Sequence, residues 1–173
     1  FAAGSATMSI EESTYSALRG EQFTVNVLVD PNGESLDTVR AVVTFDPNVL
    51  RAQSVDLIGS FDRSAPGNYI DNGSGKVSWG AFTIGGPVTT STNLIGITFL
   101  ALEEGTASVS VSSDSRAIDN GEERIDVGEL GAATATVSSS QEAEPGTALV
   151  ILSSDSHSND VHWYAESTVD FAF

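Results

Sequence analysis

The stretch that most constrains this chain is Val39-Arg40-Ala41-Val42-Val43-Thr44-Phe45-Asp46-Pro47-Asn48-Val49-Leu50. On an extended backbone Val39, Ala41, Val43 and Phe45 face one side and Arg40, Val42 and Thr44 the other, the period-two pattern of a strand covered on one face. This predicts a core strand. Asp46-Pro47-Asn48 then stops it, because Pro47 has no N–H for a ladder and its neighbours carry side chains that cap tight turns. Leu50 returns to the core.

The rest of the chain repeats this grammar. Strands are expected at Thr7 to Ile10, Gln22 to Val29, Arg51 to Ile58, Tyr69 to Asp71, Lys76 to Phe82, Leu94 to Leu102, Thr106 to Val111 and Gly131 to Ser138. Glu11 to Gly20 reads as a connection, Gly59 to Asn68 as a looser region and Asp114 to Asp126 as a polar stretch. Asp30-Pro31-Asn32-Gly33 and Asn72-Gly73-Ser74-Gly75 are strong turn signals. No amphipathic helix is legible. Many short strands at regular spacing predict an all-β jelly-roll sandwich of about nine strands over residues 1–139.

Residues 140–173 read differently. Ser138 to Gly146 has linker composition, whereas Ala148 to Leu152 is apolar, Trp163-Tyr164 is aromatic, and Val169, Phe171 and Phe173 alternate with Asp170 and Ala172. We read this part as a linker plus an extension whose strand-like aromatic end, Trp163, Tyr164, Val169, Phe171 and Phe173, seeks a partner.

Charge narrows the function. Seven basic against 24 acidic residues give a formal charge of −17, a field that repels nucleic acid and anionic membranes. No apolar run has membrane-spanning length, and residues 1–6 lack the basic start and apolar middle of a signal peptide, a start compatible with one having been removed. Cysteine is absent, which rules out disulfides and cysteine-based sites.

Val43-Thr44-Phe45-Asp46-Pro47-Asn48-Val49-Leu50 resembles the third strand and following turn of cohesin domains, extracellular β-sandwich modules related to some carbohydrate-binding modules. Supporting segments follow in the same order: Gly20 to Val27, Gly75-Lys76-Val77-Ser78-Trp79, Ile95 to Ala101, and Gly105-Thr106-Ala107-Ser108-Val109. The resemblance spans about Ala6 to Ser138. It implies a cohesin-like fold and a partner helix docked on one sheet, with Thr38, Arg40 and Val42 as outward residues of the docking strand. Arg40 departs from the small polar or acidic residues that better-known dockerin-binding cohesins carry there.

Candidate chemistry is sparse. Asp119, Asn120 and Glu122 on one Gly-containing turn, and Asp71-Asn72-Gly73 on another, offer the hard oxygen ligands that calcium prefers; ordinary Asx turns account for the same residues. Asn72-Gly73-Ser74 is also an N-glycosylation sequon. Asp155, His157, Asp160 and His162 have no metal-site spacing, Ser156 has no nucleophile elbow, and the pairs Glu11-Glu12, Glu103-Glu104 and Glu122-Glu123 are adjacent in turn-like contexts. Trp79 with Phe82 suggests a sugar platform, but Trp79 alternates as a core residue does. The expectation is therefore a non-enzymatic extracellular or cell-surface structural or adhesive protein, self-associating through its terminal segment into filaments. The alternatives are a cohesin-type receptor for a dockerin-like partner and a carbohydrate-binding module. The expected partners are copies of itself or another cell-surface protein, with carbohydrate as the third class.

Overall fold

The computed structural model describes residues 4–139, and among these the backbone forms fourteen strands and no helix. In chain order they are β1 (Ala6–Ile10), β2 (Thr14–Leu18), β3 (Gln22–Asp30), β4 (Thr38–Thr44), β5 (Leu50–Leu57), β6 (Arg63–Ser64) and β7 (Tyr69–Asp71), followed by β8 (Lys76–Phe82), β9 (Thr92–Ala101), β10 (Gly105–Val111), β11 (Arg116–Asp119), β12 (Glu122–Glu123), β13 (Ile125–Leu130) and β14 (Ala132–Ser138). Five of them form one sheet, in the order β13-β1-β3-β9-β5. The larger sheet runs β12-β11-β4-β10-β14-β2, with β8 along the other side of β4 and β6 and β7 on the far side of β8. The linker and extension expected over residues 140–173 lie outside the described residues.

The alternation in the sequence is what builds the core. Val25, Val27 and Val29 of β3 and Ile95, Ile97 and Phe99 of β9 are fully buried, and they face Val39, Ala41 and Val43 of β4 and Ala107 and Val109 of β10. Phe99 sits between two rings, with its centroid 5.9 Å from Phe23 and 5.0 Å from Phe45, the latter edge-on. In β14 the inward residues are Ala133, Ala135 and Val137, so this strand of small side chains still contributes a buried face.

As predicted, β4 is central: it pairs with β8 along its whole length, while its other side is shared by β11 at Thr38–Arg40 and β10 at Val43–Thr44. Asp46 caps the turn that follows. Its Oδ1 accepts from the Asn48 N–H and from Asn48 Nδ2, both at 2.9 Å, and Leu50 re-enters the core fully buried.

The structure holds five more strands than the sequence suggested. β2 lies inside the expected connection, β6 inside the looser region, and β11, β12 and the start of β13 inside the polar stretch. They share a physical reason. All are short or lie toward sheet edges, where one face is solvated and pairing rests on main-chain bonds, so side-chain composition does not mark them. β2 shows this well: Tyr15 and Ala17 are half-buried while Thr14, Ser16 and Leu18 are exposed.

Two asparagine amides extend the ladders beyond the strands. Asn72, beside β7, accepts from Ala52 N–H at 2.8 Å and donates to the Ala52 carbonyl at 2.9 Å, tying the larger sheet to β5 at the rim of the smaller one. Asn68 does the same to Gly80 of β8, at 2.7 and 3.1 Å. The two terminal crossings are parallel: β1 pairs with β13 and β2 with β14.

Candidate functional site

Alternation on β4 places Thr38, Arg40, Val42 and Thr44 on the outer face of the larger sheet, opposite the core residues Val39, Ala41 and Val43. Pairing then fixes their neighbours. Thr38 lies between Phe82 and Ile118, Arg40 between Gly80 and Arg116, Val42 beside Ser78, and Thr44 between Lys76 and Ser110. Towards β14 and β2 the face continues with exposed Ser108, Thr134, Thr136, Thr14 and Ser16, without a charge.

One residue of the expected docking strand needs correction. Val42 points outward but is only 4% exposed, and it stands outside the central core cluster. The Ser112–Ser115 segment folds against it: the fully buried Ser115 accepts from Val42 N–H at 3.0 Å and donates to its carbonyl at 3.3 Å, and Ser112 N–H donates to the same carbonyl at 2.7 Å. At that exposure the Val42 side chain offers almost no surface to a partner. Thr38 and Arg40 remain half-exposed.

Arg40 is held by its own chain. Nη2 donates to Pro66 O at 2.8 Å, and Nη1 donates to Gly67 O at 3.3 Å and Ser78 Oγ at 3.0 Å. The Ala65–Asn68 connector between β6 and β7 is thus drawn onto the outer face. Gly80 makes room for this: a Cβ there would lie 2.8 Å from Arg40 Nη2 and 3.1 Å from Ala65 Cβ. Sequence reasoning missed this cluster, although a lone glycine inside an alternating strand signals close approach of another group.

The other cations of the face are paired with acids. Lys76 Nζ donates to Asp114 at 3.0 Å, and Arg116 lies 3.4 Å from Glu123. The Lys76 hydrogen bond, helped by its charge, holds the Asp114 carboxyl below its ordinary value, and Asp114 in turn raises Lys76. No such carboxylate lies against Arg40 among the described residues.

The remaining candidates are placed as follows. Asp119 and Glu122 face each other across a two-residue hairpin whose central Asn120 and Gly121 have φ of 51° and 82°, the geometry of a type I′ turn. Glu122 is bonded to Arg124 at 2.6 Å, and Asn120 N–H donates to Asp37 at 2.8 Å. Among the described residues no group of three or more His, Cys, Asp or Glu side chains converges. Asp71 closes an Asx turn, and its carboxyl is lowered first by the Ser74 hydroxyl, then by the Ser74 and Gly73 N–H groups. Trp79 faces inward with Val77 and Ala81 and packs against the core, whereas Phe82 faces outward, so the two rings do not form one platform. Trp163, Tyr164, Val169, Phe171 and Phe173, and the two histidines, lie outside the described residues.

The sequence model of the family described as Cohesin domain matches residues 7–134. The chain belongs to the cohesin domain family. Its fold is shared with solved cohesins at low sequence identity. The non-cellulosomal cohesin of the hyperthermophilic archaeon Archaeoglobus fulgidus superposes with a TM-score of 0.61 at 17% identity, over 80% of this chain and 94% of that one. The cohesin module of a Clostridium perfringens family 33 glycoside hydrolase gives 0.62 at 10% identity, over 78% and 98%. The sixth cohesin of Acetivibrio cellulolyticus scaffoldin B, solved with a Cel5 dockerin, gives 0.55 at 17%, over 79% and 100%. No curated protein sequence matches the chain. At these identities the likeness shows the fold of this cohesin.

Proposed function

We propose that this cohesin is an extracellular, non-catalytic module that binds a protein partner on the outer face of its larger sheet. The observation that carries the reading is the half-exposed row Phe82, Thr38 and Ile118 beside Arg40, presented on the central β4–β8 pair. It offers apolar contact area on a rigid strand pair, the kind of surface that anchors protein interfaces. Similar cohesins occur in complex with dockerins, and a dockerin-like helical partner is the occupant this face suits best.

The test is titration calorimetry of the full chain against a panel of dockerins, including those of the Acetivibrio Cel5 and Clostridium thermocellum Doc435 types. Binding with a Kd below about 10 μM that weakens at least tenfold in Thr38→Arg, a half-exposed position within that row, supports the reading. Binding that Thr38→Arg leaves unchanged moves the contact off this row, and no binding by any dockerin overturns the choice of partner.

A second reading, a structural or adhesive subunit that associates into filaments through residues 140–173, rests on the alternation of Val169, Phe171 and Phe173. Electron microscopy of the full chain beside a version ending at Ser140 tests it. Filaments from the full chain alone support it, and monomers from both refute it.

A further inference from the structure

The Arg40 side chain stands on the docking face with both Nη atoms bonded, to Pro66 O, Gly67 O and Ser78 Oγ. We propose that Arg40 acts on partner choice as a positioning residue, latching the Ala65–Asn68 strap onto the outer face so that the strap walls the docking surface along β8. The proposal rests on the docking face described above and adds what sets its shape.

Four observations converge on the strap. First, its carbonyls at Pro66 and Gly67 are gripped from the sheet side by the two Nη atoms of one guanidinium, a planar fork whose donors are fixed relative to each other. Second, the strap is also sewn to the edge of β8: Ala65 N–H donates to Gly80 O at 2.9 Å, and the Asn68 amide bonds both main-chain groups of Gly80. Third, Gly67 has φ of +78°, so the chain reverses there in a conformation that brings its carbonyl to the guanidinium. Fourth, the outward residues beneath, Ser78 and Gly80, are buried although no sheet covers that side. Pro66 and Gly67 themselves are exposed, so the wall presents main chain and a proline ring to whatever docks.

A wall of this kind selects by exclusion. A partner that reaches across β8 meets the strap, whereas one that lies along β4 and β10 does not. Lysine at position 40 keeps the charge but loses the fork, and alanine at position 80 keeps Arg40 intact while filling the space its guanidinium occupies. These variants separate a latch from a direct charge contact.

The experiment is amide exchange of the full chain, followed residue by residue, in wild type, Arg40→Ala, Arg40→Lys and Gly80→Ala, with the dockerin panel titrated against each. The latch predicts that exchange at Ala65 and Gly80 rises about tenfold or more in Arg40→Ala and in Gly80→Ala, while exchange in β3 and β9 stays as in wild type. It also predicts that both variants bind dockerins that wild type rejects. Unchanged exchange at Ala65 and Gly80 overturns the latch. Faster exchange in β3 and β9 as well overturns it too, since Arg40 would then be supporting the whole sandwich. If Arg40→Ala and Arg40→Lys differ in affinity while Gly80→Ala binds as wild type does, Arg40 touches the partner directly and the positioning role is wrong. Should no dockerin bind even wild type, the docking reading fails by itself, and the exchange data still decide whether the strap is latched.

Discussion

Replacing Asn72 by alanine tests whether a side-chain amide serves as a missing strand. The amide makes two bonds to the main chain of Ala52, at 2.8 and 2.9 Å, and Ala52 itself is 3% exposed. A buried main-chain group left unpaired costs about 1–3 kcal/mol. The groove alongside, about 490 Å³ and lined by Arg51, Ala52, Gln53, Ile70 and Asn72, admits water that restores part of the bonding. We therefore expect a loss of about 1–2 kcal/mol, read in urea as a midpoint lowered by roughly 0.5–1.5 M at unchanged slope. Asn72→Asp sharpens the test, because a carboxylate can accept from Ala52 N–H but sets its other oxygen against the Ala52 carbonyl. Only the protonated acid can donate there, so its pKa in the folded variant is raised above the unfolded value of about 3.9. The restored stability is then fully present below that unfolded value and is lost as pH rises through the folded one. Asn72→Asp should thus be less stable than Asn72→Ala at pH 7 and recover towards wild type at pH 3. An alanine variant within about 0.5 kcal/mol of wild type, or an aspartate variant whose deficit ignores pH, refutes the reasoning.

Three further outcomes are expected. Phe99→Ala, at the fully buried centre of the ring cluster, should lose about 3–5 kcal/mol in urea denaturation. Ser115→Ala strips the Val42 N–H of its hydroxyl acceptor and should lose about 1–3 kcal/mol, with faster amide exchange at Val42 as the local readout. Since the folded pKa of Asp114 lies below 3.8 and that of Lys76 above 10.5, their pairing should stabilise the fold between those two values, fading as pH falls through the first folded pKa or rises through the second. Comparing Lys76→Met with wild type at pH 2, 7 and 12 reads this, and a difference that does not narrow at the extremes counts against the pair.

Legibility in the sequence tracked how strongly side-chain chemistry was tied to burial. β3, β4 and β10 declared themselves because every second residue had to be apolar, β9 because its apolar run is near-continuous, and the Asp46-Pro47-Asn48 turn because such residues cap it. Arg116 to Asp119 gave no such signal: it is polar, yet it pairs with β4 and buries Ala117. The outer face was legible as a direction, since Thr38, Arg40 and Val42 do point outward. What lies on it was not, because the Ala65–Asn68 strap and the Ser112–Ser115 segment are tied down largely by the Arg40, Asn68 and Ser115 side chains bonding main chain distant in sequence, and Gly80 inside an alternating strand was the one local signal. Arg40 stood out in the sequence as a departure from better-known dockerin-binding cohesins; its bonding partners Pro66, Gly67 and Ser78 lie 26, 27 and 38 residues further along the chain.

The parallel pairing of the first two strands with the last two has a mechanical consequence. β1 and β2 hydrogen-bond to β13 and β14, running in the same direction. If residues 4 and 139 are pulled apart, each of these pairs slides along its length, and the bonds of a pair resist together instead of opening one by one like a zip. β2 and β14 alone are in register over five residues, from Thr14–Thr134 to Leu18–Ser138. A sandwich closed in this way is suited to a place in a chain under tension, where force enters at one terminus and leaves at the other.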